Sequence, residues 1–122
     1  MTKESIRIMR TLLLPSLAMQ EVRPWRPAVD IYRLNNGWML KFELAGVNPE
    51  DIEVKLRGRR LTVRGVRLDR QWQAGCSIQH MEIAYSSFER AIDLPDDPGD
   101  VAIQAEFQNG MLYVHLREEQ QP

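Results

Sequence analysis

The stretch Ala105-Glu106-Phe107-Gln108-Asn109-Gly110-Met111-Leu112 decides the fold of this chain. One alternating apolar segment ends at Phe107, and another begins at Leu112. The Asn109-Gly110 pair between them is the strongest short-range signal for a β-hairpin, because both central residues of a type I′ turn need a positive φ angle. The sequence therefore predicts two antiparallel strands joined by a two-residue turn.

The same period of two recurs along most of the chain before this hairpin, as in half-buried strands. Turn residues separate the alternating runs, notably Asn35-Asn36-Gly37, Asn48-Pro49 and the segment 95–100. Many short strands between turn signals predict an all-β fold, an antiparallel β-sandwich. The apolar positions of its strands are Val29, Ile31, Trp38, Leu40, Phe42, Leu44, Ile52, Val54, Leu56, Leu61, Val63, Met81, Ile83, Tyr85, Phe88, Ile92, Leu94, Val101, Ile103, Ala105, Phe107, Leu112, Val114 and Leu116.

The composition of the chain bears on which partners it can bind and on its cellular compartment. The 122 residues carry 16 basic and 17 acidic side chains, a net charge of −1, and the two signs are well mixed. We therefore expect no face that attracts nucleic acid or an anionic membrane. The single Cys76 excludes an internal disulfide framework and fits a reducing compartment. With no apolar run of membrane-spanning length and no signal-peptide pattern, we expect a cytoplasmic protein.

Residues 1–26 differ from the rest of the chain. Ile6, Met9, Leu13 and Leu17 recur at spacings of three and four, which predicts an amphipathic helix broken or restarted at Pro15. Prolines on either side of residues 25–26 indicate an extended entry into the domain. We expect an N-terminal arm over 1–26, partly helical or extended, the domain over 27–117 and a polar tail over 118–122.

No arrangement of residues indicates catalysis, a metal or a cofactor. His80 and His115 lack partners at metal-ligand spacing, so each is expected to be exposed or hydrogen-bonded. The acidic segment 96–100 lacks the spacing and the closing glutamate of a calcium loop. Ser86-Ser87 has neither a nearby histidine nor a glycine-rich elbow. An enzyme is therefore not expected.

Several motifs resemble the α-crystallin domain of the small heat shock proteins, in order and in spacing. They are Phe42-Glu43-Leu44-Ala45-Gly46-Val47, with alanine where the family usually has proline, Pro49-Glu50-Asp51-Ile52, Leu61-Thr62-Val63-Arg64-Gly65-Val66-Arg67, Phe88-Glu89-Arg90 followed by Leu94-Pro95, and the hairpin stretch, which is similar to A-x-x-x-N-G-(V/M)-L. The resemblance covers about residues 28–116. It implies an immunoglobulin-like β-sandwich.

The spacing from Gly65 to Glu82 is similar to the bacterial and plant branch of the family, and this implies a homodimer. In that branch the loop, here about residues 68–76, reaches across and adds to the partner's strand near Val29–Tyr32. The alternative is a surface loop. The interface residues that the resemblance implies are Arg90, Asp69, Trp72, Val29 and Ile31.

Arg90 resembles an arginine that the family places at its dimer interface. Buried among apolar residues, a guanidinium needs a carboxylate partner, for which Asp69 and Glu82 are the candidates. The alternative is an edge arginine whose charged end reaches solvent.

The resemblance also implies an assembly groove between two strands, lined by Ile52, Val54, Leu56, Val101, Ile103 and Ala105. In the family, a C-terminal I-x-(I/V) motif enters this groove, but residues 117–122 contain none. Ile6-Arg7-Ile8 has the same pattern at the other end of the chain. If extended, it enters the groove; if helical, Ile6 pairs with Met9 and Leu13. Both alternatives remain open.

The function that the resemblance implies is that of an ATP-independent holdase, which binds partly unfolded client proteins and suppresses their aggregation as a dimer or larger homo-oligomer. The arm residues expected to contact clients or neighbouring subunits are Ile6, Ile8, Met9, Leu12, Leu13, Leu14 and Leu17. The alternative is a co-chaperone or adaptor module similar to the CS domain, which binds one folded partner.

Overall fold

A computed structural model of the chain describes residues 5–7, 25–69 and 73–119. Its β-strands in these segments are β1 (Ser5–Arg7), β2 (Val29–Leu34), β3 (Gly37–Glu43), β4 (Ile52–Arg57), β5 (Arg60–Val66), β6 (Ser87–Asp93), β7 (Val101–Gln108) and β8 (Met111–Glu118). A short 3-10 helix, Pro49–Asp51, precedes β4, and the Asn48 side chain caps it by accepting a hydrogen bond from the Glu50 N–H.

The strands form two antiparallel sheets of four, in the orders β1-β4-β5-β6 and β2-β3-β8-β7. The predicted all-β antiparallel sandwich is confirmed. Alternate residues of each central strand point into a common core: in β8, Leu112, Val114 and Leu116 are fully buried while Arg117 is exposed. This period-two burial is the physical basis of the alternation in the sequence.

The core draws on both sheets and on the loops that join them. Fully buried aliphatic and aromatic side chains dominate it, so the hydrophobic effect fixes the packing of one sheet on the other. The buried apolar residues are Leu40, Phe42, Leu44, Val47, Ile52, Val54, Leu56, Leu61, Val63, Phe88, Ile92, Leu94, Val101, Leu112, Val114 and Leu116.

The β7–β8 hairpin has the predicted type I′ turn. Asn109 has a φ angle of 53° and Gly110 one of 77°. The turn also docks on the loop after β3, because the Leu44 N–H donates a 2.8 Å hydrogen bond to the Gly110 carbonyl. A Cβ atom at Gly110 would lie 3.2 Å from the Ala45 Cα, so a larger residue would be crowded there as well as conformationally strained.

The alternation at Met81, Ile83 and Tyr85 predicted a strand, and that prediction is wrong. The chain from residue 73 to 86 is irregular, and β6 begins only at Ser87. Alternation produces a strand only where a neighbouring strand accepts its backbone hydrogen bonds. Within the described chain, β5 pairs with β6 no earlier than Ser87, so this segment has no partner strand.

Ser5–Arg7 is extended and pairs antiparallel with β4, in the register Ser5↔Lys55, Ile6↔Val54 and Arg7↔Glu53. Of the two conformations considered for this part of the arm, the backbone of these three residues takes the extended one. The other arm residues expected to act in assembly, Ile8, Met9, Leu12, Leu13, Leu14 and Leu17, lie outside the described residues, as does Trp72.

Candidate assembly and client-binding surfaces

Two segments of the described chain carry its exposed large apolar side chains. On β2, Ile31 and Tyr32 are 44% and 40% exposed. In the loop over 73–86, Ile78, Met81 and Ile83 are 58%, 53% and 59% exposed. β2 is an edge strand that pairs only with β3, so one row of its backbone groups has no strand beside it in the described chain. An apolar edge strand and an apolar loop are features of surfaces that associate.

The predicted interface residues occupy different environments. Val29 is half-buried and packs against the core, whereas Ile31, two positions further along β2, is exposed. Asp69 is half-buried just before the undescribed residues 70–72. Of these two β2 residues, Val29 therefore packs against the core of its own chain, and Ile31 remains accessible to another chain.

Arg90 is half-buried on β6, and its Nη1 donates a 2.6 Å hydrogen bond to the Pro27 carbonyl. Desolvation lowers the pKa of Arg90, and the nearby charge of Arg26 lowers it further. Glu82, one of the two carboxylates considered as its partner, lies 2.6 Å from His80 Nε2. Arg90 thus has a backbone carbonyl as one partner, at the point where the chain enters the sandwich.

An open cleft of about 900 Å³ lies beside Arg90. Arg26, Arg64 and Arg90 all line it, together with the single carboxylate of Glu89. Arg64 Nε is paired with the buried Glu53 carboxylate at 2.6 Å, so Arg26 and Arg90, opposed by Glu89, leave the cleft weakly electropositive. This charge favours contact with carboxylates of another chain.

Trp25 anchors the start of the sandwich, a role that the sequence did not indicate. Its backbone N–H donates a 3.0 Å hydrogen bond to the Ser87 carbonyl, and its ring meets Phe88 edge-on with 5.5 Å between centroids. The guanidinium of Arg67 stacks on the Trp25 ring and donates hydrogen bonds to the carbonyls of Ala45 and Ala84. Arg67 belongs to the Leu61–Arg67 motif, which was the only sequence signal for this cluster.

The expected groove residues lie on two strands of different sheets. Ile52, Val54 and Leu56 of β4 are buried in the core, and so is Val101 of β7. Ile103 and Ala105 are half-buried, and Phe107 continues the same row. Because β7 is the edge of its sheet in the described chain, the accessible apolar atoms of this set belong to β7 rather than to β4.

In the part of the chain that the structure describes, neither a metal site nor a membrane-spanning helix is found. No group of three His, Cys, Asp or Glu side chains there is placed to hold a metal ion. His115 Nε2 lies 3.7 Å from a Glu106 carboxylate oxygen, and Cys76 is an exposed thiol. In the same residues, no helix has the length and apolar character that crossing a bilayer requires.

Comparison with known proteins identifies the family. Residues 30–122 match the model of the Hsp20/alpha crystallin family. The chain belongs to this family. Small heat shock protein C2 of Rickettsia felis is 33% identical over 95 residues, which cover 78% of this chain and 62% of that protein. Spore protein SP21 of Stigmatella aurantiaca is 33% identical over 98 residues, 79% of this chain and 58% of that protein.

Solved structures agree with the family assignment. Heat shock protein 16.0 from Schizosaccharomyces pombe superimposes with a TM-score of 0.67 at 27% identity, covering 80% of this chain and 93% of that one. A small heat-shock protein from Xylella fastidiosa gives 0.64 at 29% identity, covering 82% and 92%. The fold is therefore the α-crystallin β-sandwich. This chain spans about three fifths of the length of the two curated relatives described above.

Proposed function

We propose that this member of the Hsp20/alpha-crystallin family is an ATP-independent holdase. It binds partly unfolded proteins and keeps them from aggregating, working as a dimer or larger homo-oligomer in the cytoplasm. The observation that carries the proposal is the exposed apolar surface of a sandwich that belongs to this family: Ile31 and Tyr32 on an edge strand, and Ile78, Met81 and Ile83 on a long loop.

Strand addition is the physical basis of client binding. Partly unfolded chains expose apolar side chains and unpaired backbone groups. The β7 edge offers both a complementary row of backbone groups and the half-buried side chains of Ile103, Ala105 and Phe107. A client strand held there is removed from client–client contact, and mass action lowers the aggregating population.

The dimer forms through the long loop and the partner's β2 edge. The exposed apolar residues at 78–83 would extend this contact C-terminally beyond the 68–76 range that the resemblance implies. They would cover Ile31 and Tyr32 of the other subunit. The electropositive cleft at Arg90 lies where the chain enters β2 and would receive carboxylates of the partner.

The proposal is tested by aggregation suppression. Equimolar chain should reduce the light scattering of two unrelated clients, such as heated citrate synthase and reduced insulin, equally with and without ATP. A chain that leaves both clients to aggregate at several-fold molar excess is not a holdase. Tight binding to one folded protein in its place would identify the adaptor.

A further inference from the structure

Two residues outside the long loop fix its C-terminal end. The Arg67 backbone N–H donates to the Ser86 carbonyl at 2.9 Å, and Arg67 Nε donates to the Ala84 carbonyl at 2.9 Å. The Trp25 backbone N–H donates to the next carbonyl along the chain, that of Ser87, at 3.0 Å. Arg67 and Trp25 together therefore hold the backbone where the loop over 73–86 joins β6.

The side chains of these two residues also contact each other. The Arg67 guanidinium lies over the Trp25 ring at stacking distance, and 5.9 Å from the centroid of the Tyr85 ring. The Trp25 ring in turn packs edge-on against the buried Phe88. Arg67 thus reaches the loop from beneath a tryptophan that stands at the end of the N-terminal arm.

The side-chain hydrogen bonds of Arg67 depend on this stack. Both of their acceptors, the carbonyls of Ala45 and Ala84, are neutral. Burial lowers the pKa of Arg67, because it removes the charged group partly from water. The Trp25 ring offsets part of this desolvation and shields the hydrogen bonds from competing water. Without the ring, the guanidinium would be hydrated and its side chain would regain rotamer freedom.

The apolar residues proposed to contact the partner subunit come directly before this fixed point. Ile83 precedes Ala84, and Met81 lies two positions earlier; both side chains are more than half exposed. Within the described chain, β5 pairs with β6 only from Ser87 onward, so no strand pairing orders the loop before that residue. The hydrogen bonds at the C-terminal end of the loop therefore fix the direction in which Ile83 leaves the sandwich.

We infer that Arg67 is a positioning residue for the dimer contact, and that it holds the loop only while the Trp25 ring is stacked on it. This inference rests on the dimer contact in the proposed function. With Trp25 stacked, Ile83 is presented in one orientation, and association requires little further ordering of the loop. With Trp25 displaced, the loop must be ordered as the subunits associate, which weakens the dimer. A change in the arm at residue 25 is thus transmitted to the dimer contact.

A double-mutant cycle on the dimer Kd tests this coupling. Trp25→Leu keeps an apolar side chain beside Phe88 but removes the aromatic face, Trp25→Phe keeps an aromatic face, and Arg67→Gln removes the cation. We expect Trp25→Leu to raise the Kd about tenfold and Trp25→Phe to raise it less than about threefold. In the Arg67→Gln background, Trp25→Leu should add little, because the two residues act through one contact. Sedimentation velocity over a concentration series measures each Kd.

The matched control is Arg60→Gln. Arg60 lies at the opposite end of β5 and binds the Asp93 carboxylate, so its loss removes an arginine contact far along the strand from the loop. The Kd of this variant should stay within about twofold of the parent value, because the loop end is untouched.

A second measurement separates positioning from a general loss of stability. NMR-detected hydrogen exchange is followed at the Arg67 amide, which bonds to the Ser86 carbonyl, and at the Val114 amide of the central strand β8. We expect Trp25→Leu to accelerate exchange at Arg67 about tenfold with no change at Val114, because the opening is local. Equal acceleration at both amides would show that Trp25 only stabilises the fold, and this overturns the inference.

The remaining outcomes are also decisive. An additive cycle, or equal Kd values for Trp25→Leu and Trp25→Phe, overturns the inference. A parent chain without a measurable dimer overturns the dimer contact of the proposed function, and this inference with it. A dimer whose Kd is indifferent to Trp25 overturns this inference alone.

Discussion

The guanidinium carbon of Arg67 lies 3.6 Å from the centroid of the Trp25 ring. The same side chain donates from Nε to the Ala84 carbonyl at 2.9 Å and from Nη1 to the Ala45 carbonyl at 3.1 Å. Burial lowers the pKa of Arg67. One planar cation thus joins the start of the sandwich, the end of the long loop and the loop after β3.

Arg67→Lys is expected to lower the free energy of unfolding by about 1–3 kcal/mol, because an ammonium group keeps the charge but loses the planar stacking and one of the two carbonyl contacts. Urea unfolding monitored by circular dichroism measures the change. Arg33→Lys is the matched control: Arg33 also lies over a tryptophan, 4.7 Å from the Trp38 centroid, but on an exposed edge strand. Equal losses in the two variants would contradict the anchoring role of Arg67.

Gly110→Ala is expected to destabilise the fold more than Gly99→Ala. Both glycines have φ angles near 75°, at 77° and 75°, so alanine is strained at each, by about 1–2 kcal/mol. A Cβ at Gly110 meets the Ala45 backbone, whereas at Gly99 it meets nothing within 4 Å. The difference in urea midpoint between the two variants isolates this contact, and identical midpoints would show that the turn does not press on Ala45.

The Arg60–Asp93 pair gives a pH dependence. Arg60 binds both carboxylate oxygens, at 2.8 and 3.1 Å, and this hydrogen bonding lowers the pKa of Asp93. Because the folded-state pKa is below the unfolded value of about 4, the pair stabilises the fold above that pH, and the stabilisation is lost as the pH falls through the folded-state pKa.

Asp93→Asn is therefore expected to lower the Tm at pH 6, with the difference from the parent chain shrinking towards pH 3. Scanning calorimetry at several pH values measures it. Both groups are exposed, so the effect at pH 6 is small and decreases further in 1 M NaCl. A difference that grows on acidification would contradict the assigned pKa direction.

The dimer contact is tested at Ile83. Ile83→Lys places a charge in the proposed apolar contact twice per dimer, and loss of two buried isoleucines raises the dimer Kd by at least about 100-fold. Gln79→Lys, on the same exposed loop, is the control and should change the Kd little. Sedimentation velocity over a concentration series measures both. An unchanged Kd for Ile83→Lys would exclude this loop from the interface.

The sequence predicted most of the sandwich because burial on one face leaves a period of two, and the Asn109-Gly110 turn needs positive φ angles that few residues tolerate. It failed at Met81 and Ile83, where alternation occurs without a partner strand in the described chain. Ile6 fitted both a helical and an alternating pattern, so only its pairing with Val54 decided the backbone conformation. The Arg67–Trp25 contact joins residues far apart in the chain, and such contacts leave no periodic signal.

The two sheets of the sandwich differ in how their edge strands are covered. Both margins of the β1-β4-β5-β6 sheet are occupied from the N-terminal side: β1 lies along β4, and Trp25 forms a bridge to Phe88 on β6. In the described chain, the margins of the other sheet, β2 and β7, have no such cover. Under the proposed function, a client strand would therefore extend the β2-β3-β8-β7 sheet, whereas the opposite sheet keeps its own four strands.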